Sequence, residues 1–308
     1  MCLVHSLEPL NAVTIQHSGV PPFTDLLAEQ FAGHACGTTL DLYVGYDERT
    51  LAETSHDYTT FQLPYGMLQL VTLPMGWTNS VPIFHDDVTH ILQPEILTYT
   101  VPYIDDVPIK GPASDYRYPN GTFETIAENP GVHHFVWEHL NNVNHIVQCM
   151  KYNGGMFSGF KAVLCTTDFS VISHRCTLHG RIPDESHVIK LANWGPCCDL
   201  SDVRAFLGTV VSALRIFIKN FARCAHTLVM LTHKLQPFVF GAEQLEAQED
   251  LKLAVLTSPV LKPIDYVLGL PVILSVDTSF IAVSFILSQA DSLSPSWRSM
   301  AFSVLFRL

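Results

Sequence analysis

Two β-prone runs, Tyr99 to Ile104 and Val107 to Ile109, are separated only by Asp105 and Asp106. That junction constrains the fold more than any other feature of the chain. So short a link turns the chain back sharply, and the pattern predicts strand, acidic turn, strand. A third aspartate, Asp41, lies in another β-prone run, Thr39 to Val44, which ends near Gly45. Two-metal phosphoryl transfer asks for this arrangement. Two divalent ions roughly 3.5–4 Å apart must be bridged by carboxylates, so that one activates an attacking oxygen and the other steadies the leaving group. Hard oxygen donors favour Mg²⁺, with Mn²⁺ as the natural substitute. On this logic Asp41 and Asp105 are the principal ligands and Asp106 the accessory carboxylate. An isolated Asp-Asp pair more often decorates a turn or a helix. Asp86-Asp87 shows the contrast, because it falls inside a helical pattern whose solvated face accounts for it.

The rest of the chain predicts short elements grouped into two or three packed units, as 308 residues allow. Thr59 to Leu63 and Met67 to Leu73 flank Pro64-Tyr65-Gly66 as a hairpin would. Asn79 is placed to cap a helix running to about Leu92, with Val81, Ile83, Phe84, Val88 and Ile91 as its apolar members. Residues 111 to 131, rich in Gly, Pro, Asn and Asp, read as a surface insertion, and Val136 to Met150 as a helix. Phe160 to His174 returns to strand character. Ser201 then opens an amphipathic helix with Val203, Phe206, Leu207 and Val210 on one face. A helix from Glu243 to about Leu256 and strands over Val272 to Val276 and Ile281 to Leu287 complete an α+β chain.

Composition removes several classes. Apolar residues make up 48% and charged residues 15%, which suits packed domains rather than disorder. The stretch Val267 to Val276 is broken by Gly269 and Pro271 and falls short of the ~20 residues of a membrane helix. No secretory signal opens the chain, so an intracellular, cytoplasmic or nuclear location is expected, without membrane attachment. Eight cysteines form no CxxC pair and read as reduced, mostly buried thiols, and the histidines, His133-His134 and His174 among them, lack the spacing of a hydrolytic metal site. The net charge of −12 opposes a simple nucleic-acid-binding module. The stretch Lys151 to Lys234 nonetheless carries a surplus of basic side chains, enough for a surface that contacts a phosphate backbone.

The motifs in order resemble a known family. Tyr103-Ile104-Asp105-Asp106 resembles the YxDD box of reverse transcriptases, and Asp41-Leu42-Tyr43-Val44-Gly45-Tyr46 the DLxSGY box with the first catalytic aspartate. Leu10 to Ile15 resembles the LNxxTI of the fingers, and Leu73 to Phe84 the MPFGLTNAPATF segment beneath the incoming nucleotide. Val203 to Gly208 with Arg215 to Phe221 resembles the LRxFLG and YRRFIxNF of the thumb and connection. Glu249 to Lys252, Pro259 to Leu261, Val276 to Ser279 and Ile286 to Gln289 resemble the series that opens gypsy-type ribonuclease H. Together these boxes are similar to the reverse transcriptase of gypsy-type long-terminal-repeat retrotransposon polyproteins.

The resemblance implies a polymerase palm with an antiparallel sheet and clipped fingers over residues 1–176. It also implies a helical thumb and connection over 177–236 and a truncated ribonuclease H-like α/β end over 237–308. The implied activity is RNA-directed DNA synthesis on an RNA template and DNA primer from deoxynucleoside triphosphates. Tyr46 matches the aromatic gate against the sugar 2′ position, and Met75 lies beside the incoming nucleotide. Lys161 matches a lysine near the triphosphate, able to protonate pyrophosphate. Arg215 and Lys219 fall in the basic stretch as nucleic-acid contacts. Cys2 stands where the family has a basic fingers residue, and no Lys or Arg precedes Arg49. The alternative is therefore an inactive remnant that at most binds nucleic acid. Asp277 matches the first ribonuclease H carboxylate, but after it only Asp291 and no glutamate follows, so it is expected to be a relic without hybrid cleavage.

Overall fold

The computed structural model describes residues 6–19, 21–43, 45–218, 221–234, 236–258, 260–264, 269–278, 282–291, 294–300 and 306–307. The chain separates into two units, one of Met1–Gln30 with His34–Phe169 and the other of Phe31–Gly33 with Ser170–Leu308. Both mix helices with small antiparallel sheets.

In the first unit the chain forms β1 (Gly37–Asp41), a hairpin of β2 (Phe61–Leu63) and β3 (Gly66–Leu68), helix α1 (Ser80–Leu92), β4 (Asp106–Lys110), helix α2 (His134–Tyr152) and β5 (Val163–Thr166). Strands β4, β1 and β5 make an antiparallel sheet with β1 in the middle. Side chains alternate across a strand, so the pairs Leu40↔Val107 and Thr38↔Ile109 share one face and Asp41↔Asp106 falls on the other. The first face is buried beneath Phe84, Val88 and Leu92 of α1 and Val143, Ile146 and Met150 of α2. In α2 the buried Phe135, His139, Val143, Ile146 and Met150 recur every three or four residues, which is one stripe of a helix. Each such aliphatic side chain contributes ~1.5–3 kcal/mol on burial. Truncating Leu92, wholly buried, to alanine would cost ~2–5 kcal/mol.

Three expectations change here. Tyr99 to Ile104 does not form a strand, and its backbone meets β4 at isolated bridges, Thr100 with Ile109 and Tyr103 with Asp106. Pro108 has no N–H to donate and Pro102 interrupts the partner run, so a regular ladder cannot extend past the turn. Thr100 Oγ1 instead donates to the Pro108 carbonyl at 2.6 Å. Asn79 occupies the N-cap position of α1 without a capping bond. Its carboxamide is taken by the Ile15 carbonyl and the His17 N–H, each at 2.9 Å. Of the residues expected on the apolar face of α1, Phe84 and Val88 are buried while Val81 is exposed, and Pro82, His85 and Leu92 complete the face. Asp86 and Asp87 lie on the outer side, where Asp87 pairs with Arg49 at 2.9 Å.

The second unit contains the hairpin β6 (His174–Thr177) and β7 (Gly180–Pro183), then helices α3 (Glu185–Ala192), α4 (Leu200–Thr209), α5 (Phe221–Leu231) and α6 (Ala242–Leu256). Their core gathers Leu191, Val203, Phe206, Val210, Leu228 and Leu251. The predicted face of α4 is all buried, but its cap is Asp199, whose carboxylate accepts from Asp202 N–H at 2.8 Å, rather than Ser201. Strands β8 (Val272–Thr278), β9 (Ala282–Asp291) and β10 (Ser294–Met300) follow as an antiparallel sheet with β9 central.

Candidate functional site

The aspartates meet because of strand register. Asp41 ends β1, Asp106 begins β4, and the two are cross-strand partners. Leu42 N–H donates to the Asp105 carbonyl at 2.8 Å, which fixes the turn against the end of β1. The turn itself is closed by reciprocal bonds between Tyr103 and Asp106, N–H to carbonyl, at 2.8 and 3.0 Å. It leaves two residues at the tip, and Ile104 takes φ 58°. A β-branched residue pays ~1–2 kcal/mol to enter the left-handed region, and such strain collects where surrounding structure demands one geometry.

Part of that demand comes from a residue the sequence reading passed over. His85 is buried on α1, and its Nδ1 accepts from the Ile104 N–H at 3.3 Å. Burial holds its pKa below the ordinary histidine value, despite the opposing charge of Asp86, so the neutral ring keeps the lone pair this bond needs. Its only sequence signal was its place beside Phe84 on the buried face.

The acidic groups crowd one another. The Asp106 carboxyl is raised from 3.8 to about 6, first by desolvation and then by the charges of Asp105 and Asp41, with Lys161 opposing. Its side chain still has an open face to solvent, so chain atoms surround the carboxyl without sealing it. Lys161 Nζ lies 2.9 Å from each oxygen of Asp41. The hydrogen bond and the negative charge raise its pKa, and the ammonium is exposed. Main-chain bonds bring it there: Tyr43 N–H donates to the Met156 carbonyl and Ser158 N–H to the Asp41 carbonyl, both at 2.8 Å.

Tyr46 sits half-buried in the turn Gly45–Glu48, its ring 5.0 Å from that of Phe84. A Cβ at Gly45 would stand 2.3 Å from Phe84 Cζ, so this close approach needs glycine. Burial and then the charge of Asp105 raise the Tyr46 phenol, which places the hydroxyl within the field of the acidic turn. Met75 is exposed in the turn before α1. That turn is stitched to the segment around Leu10 to Ile15. Asn11 Nδ2 donates to the Gly76 carbonyl, and Thr78 N–H donates to Asn11 Oδ1, each at 2.9 Å. Asp41, Tyr46, Met75, Asp105, Asp106 and Lys161 thus all belong to the first unit.

Arg215 and Asp277 belong to the second. Arg215 opens a short 3-10 turn, half-buried, and its Nε has no hydrogen-bond partner among the described residues. Asp277 pairs through its backbone with Ser284. Lys219 lies outside the described residues, as does the side chain of Asp277. No helix among the described residues is long and apolar enough to cross a membrane.

The donor set at the end of β1 and β4 fits a hard divalent cation. Its ligands would be carboxylate oxygens, the Asp105 and Asp41 charges that add to desolvation in lifting Asp106 are what a cation would offset, and the Lys161 ammonium already seats a positive charge on Asp41.

No family model matches the chain. Its homologues are transposon polyproteins. It is 23% identical over 287 residues to the transposon Tf2-3 polyprotein of Schizosaccharomyces pombe, covering 93% of this chain and 20% of that protein. It is 22% identical over the same length to the Tf2-7 polyprotein of that yeast. The chain therefore spans about a fifth of the length of these curated relatives. Among solved structures it is similar to the foamy viral protease-reverse transcriptase. The form bound to double-stranded DNA gives a TM-score of 0.76 at 18% identity, over 97% of this chain and 49% of that one. The form bound to an RNA/DNA hybrid gives 0.74 at 19% identity, over 96% and 37%. The resemblance to gypsy-type retrotransposon polyproteins holds over nearly the whole chain, and its mixed α/β fold matches that of the foamy viral protease-reverse transcriptase.

Proposed function

We propose that this chain is the RNA-directed DNA polymerase portion of a retrotransposon polyprotein, adding deoxynucleotides to a primer 3′-hydroxyl on an RNA template. The observation that carries the reading is the register that sets Asp41 beside the Asp105-Asp106 turn at one sheet end, with Tyr46 and Lys161 around it. The first unit acts as palm and fingers. In the second unit α3, α4 and α5 act as thumb and connection, and α6 with the final sheet as the ribonuclease H-like part. The foamy viral relative was solved on double-stranded DNA and on a hybrid, which supports primer–template as the partner.

Asp41 and Asp105 would hold two Mg²⁺ ions, which when bound supply charge neutralisation at the phosphates and acidify the attacking hydroxyl. The protein's own groups do the rest. The strained turn presents Asp105 and Asp106 together, and His85 holds the turn by its Ile104 bond. Tyr46, braced on Phe84, excludes a sugar 2′-hydroxyl by bulk. Met75 lines the approach of the nucleotide. Lys161 keeps its proton at Nζ while paired with Asp41, and released from that pair it can give the proton to departing pyrophosphate. Arg215 and Lys219 neutralise backbone phosphates of the duplex. Primer extension on poly-riboadenylate with oligo-deoxythymidine and Mg²⁺ tests the reading. Duplex binding without extension would point to the remnant that only binds nucleic acid.

A further inference from the structure

Away from the acidic site, the opposite end of the same sheet gathers three soft donors from distant parts of the chain. Cys36 immediately precedes β1, His139 lies on α2, and Cys165 lies on β5. One ligand atom from each falls within 4.8 Å of the others, and Cys36 and His139 are buried. In a tetrahedral zinc site, with Zn–S ~2.3 Å and Zn–N ~2.0–2.1 Å, ligand atoms lie under ~4 Å apart. Closing this set around a cation would thus take only small side-chain movements.

Two features go beyond mere proximity. The first is the histidine's hydrogen bonding. His139 Nδ1 faces the Lys110 carbonyl at 3.2 Å, and a carbonyl only accepts, so Nδ1 carries the proton. Nε2 is then the lone-pair nitrogen, and Thr38 Oγ1, 2.7 Å away, donates to it. A metal-ligating histidine is held this way, with its far N–H on a backbone oxygen that fixes tautomer and ring plane.

The second is a backbone distortion at the cysteine. β1 and β5 pair at Gly37↔Thr166 and again at Thr39↔Val163, so three steps on β5 oppose two on β1. The extra residue makes a β-bulge, a device that re-aims a side chain. Cys165 sits in it with φ 47°, a costly conformation for a residue with a Cβ. Its N–H is satisfied by Thr38 Oγ1 at 3.0 Å, the same hydroxyl that serves His139. The Cys36 and Cys165 sulfurs fall within the same cluster as His139 Nε2 or Nδ1.

We propose that Cys36, His139 and Cys165 form a binding site for a thiophilic d¹⁰ cation, Zn²⁺ above all, which clamps β1, β5 and α2 together at the end of the sheet away from the aspartates. Binding releases two protons, one from each thiol, and forms two metal–sulfur bonds and one metal–nitrogen bond, with a water completing the tetrahedral shell. Nε2 becomes the ligand when the Thr38 hydroxyl turns away. The role is structural, since the donors lie on the strand ends remote from Asp41.

The test uses the full chain and Zn²⁺ or Co²⁺ alone as probe. Purified under reducing conditions and dialysed against Zn²⁺, the protein is expected to retain one metal per chain, and Co²⁺ to give a thiolate charge-transfer band. Both are expected to vanish in Cys36→Ser with Cys165→Ser and to survive Cys149→Ser, which alters the other donor group, Glu95, His145 and Cys149. Should the double variant fail to fold, alkylation of the parent decides: Zn²⁺ is expected to slow modification of Cys36 and Cys165 at least tenfold, leaving exposed Cys198 unchanged. Absence of bound metal, metal content unmoved by the double variant, equal alkylation with and without Zn²⁺, or a Cys36–Cys165 disulfide with no metal uptake would each overturn the proposal.

Discussion

Asp106→Asn offers a quantitative check on the electrostatics of the acidic turn. In the metal-free protein the Asp106 carboxyl is lifted from 3.8 to about 6, by desolvation before the charges of Asp105 and Asp41. A carboxyl raised on folding binds its proton more tightly in the native state, so across pH 4 to 6 the native protein holds more protons than the unfolded chain. Stability conferred by this group is present below the unfolded pKa and is lost as pH rises through the folded one. At ~1.4 kcal/mol per pH unit the displacement corresponds to ~3 kcal/mol for a sealed group. The open face of Asp106 admits solvent screening, and ~1 kcal/mol is the defensible magnitude. Asparagine keeps the shape and removes the charge. Urea unfolding in EDTA at steps from pH 4 to 7.5 should show the variant equal to the parent near pH 4 and ~1 kcal/mol more stable near pH 7.5. A variant less stable at neutral pH, with a parent whose stability climbs through this window, would refute the reasoning.

Other perturbations probe the supports of the site. Gly45→Ala drives a Cβ to 2.3 Å from the Phe84 ring and should cost ~1–3 kcal/mol in thermal or urea denaturation; an unperturbed midpoint would mean that the Phe84 ring moves freely. Tyr46→Ala should raise the ratio of ribonucleotide to deoxynucleotide incorporation, and an unchanged ratio in an active enzyme removes Tyr46 from sugar selection. Substituting Arg215 and Lys219 together by alanine should flatten the salt dependence of hybrid-duplex binding by up to ~2 in log–log slope, whereas an unaltered slope makes that stretch an ordinary solvated surface.

How far the sequence speaks depends on whether an element's geometry is local. The face of α4 follows from four apolar residues at helical spacing, and the β2/β3 hairpin from Pro64-Tyr65-Gly66, because both are settled within one or two turns of chain. That Asp41 and Asp105-Asp106 meet was legible from the ordered boxes, and the chemistry proposed for them rests on residue type. Their cross-strand register belongs to a pairing between residues more than sixty apart. The strand expected before the turn failed because Pro102 interrupts the run and Pro108, on the partner, withholds an N–H from the ladder. Asn79 looked like a cap and became a tie to Ile15 and His17, since a long-range demand on its carboxamide replaced the local one. His85 and the Cys36–His139–Cys165 cluster left no motif, because their partners come from remote strands and helices.

The central claim is that the carboxylates at the ends of β1 and β4 carry nucleotidyl transfer, and Asp105→Asn tests it most directly. Asparagine preserves the two-residue turn, whose closing bonds run between the backbones of Tyr103 and Asp106, so the fold should remain while a metal ligand is lost. The measurement is single-nucleotide extension of a DNA primer on an RNA template with Mg²⁺, parent beside Asp105→Asn and beside Asp86→Asn as the helix-face control. The account predicts extension by the parent and by Asp86→Asn, and a loss of at least 100-fold, on the order of what a required charged group contributes, in Asp105→Asn. Near-parental extension by a folded Asp105→Asn protein would contradict it.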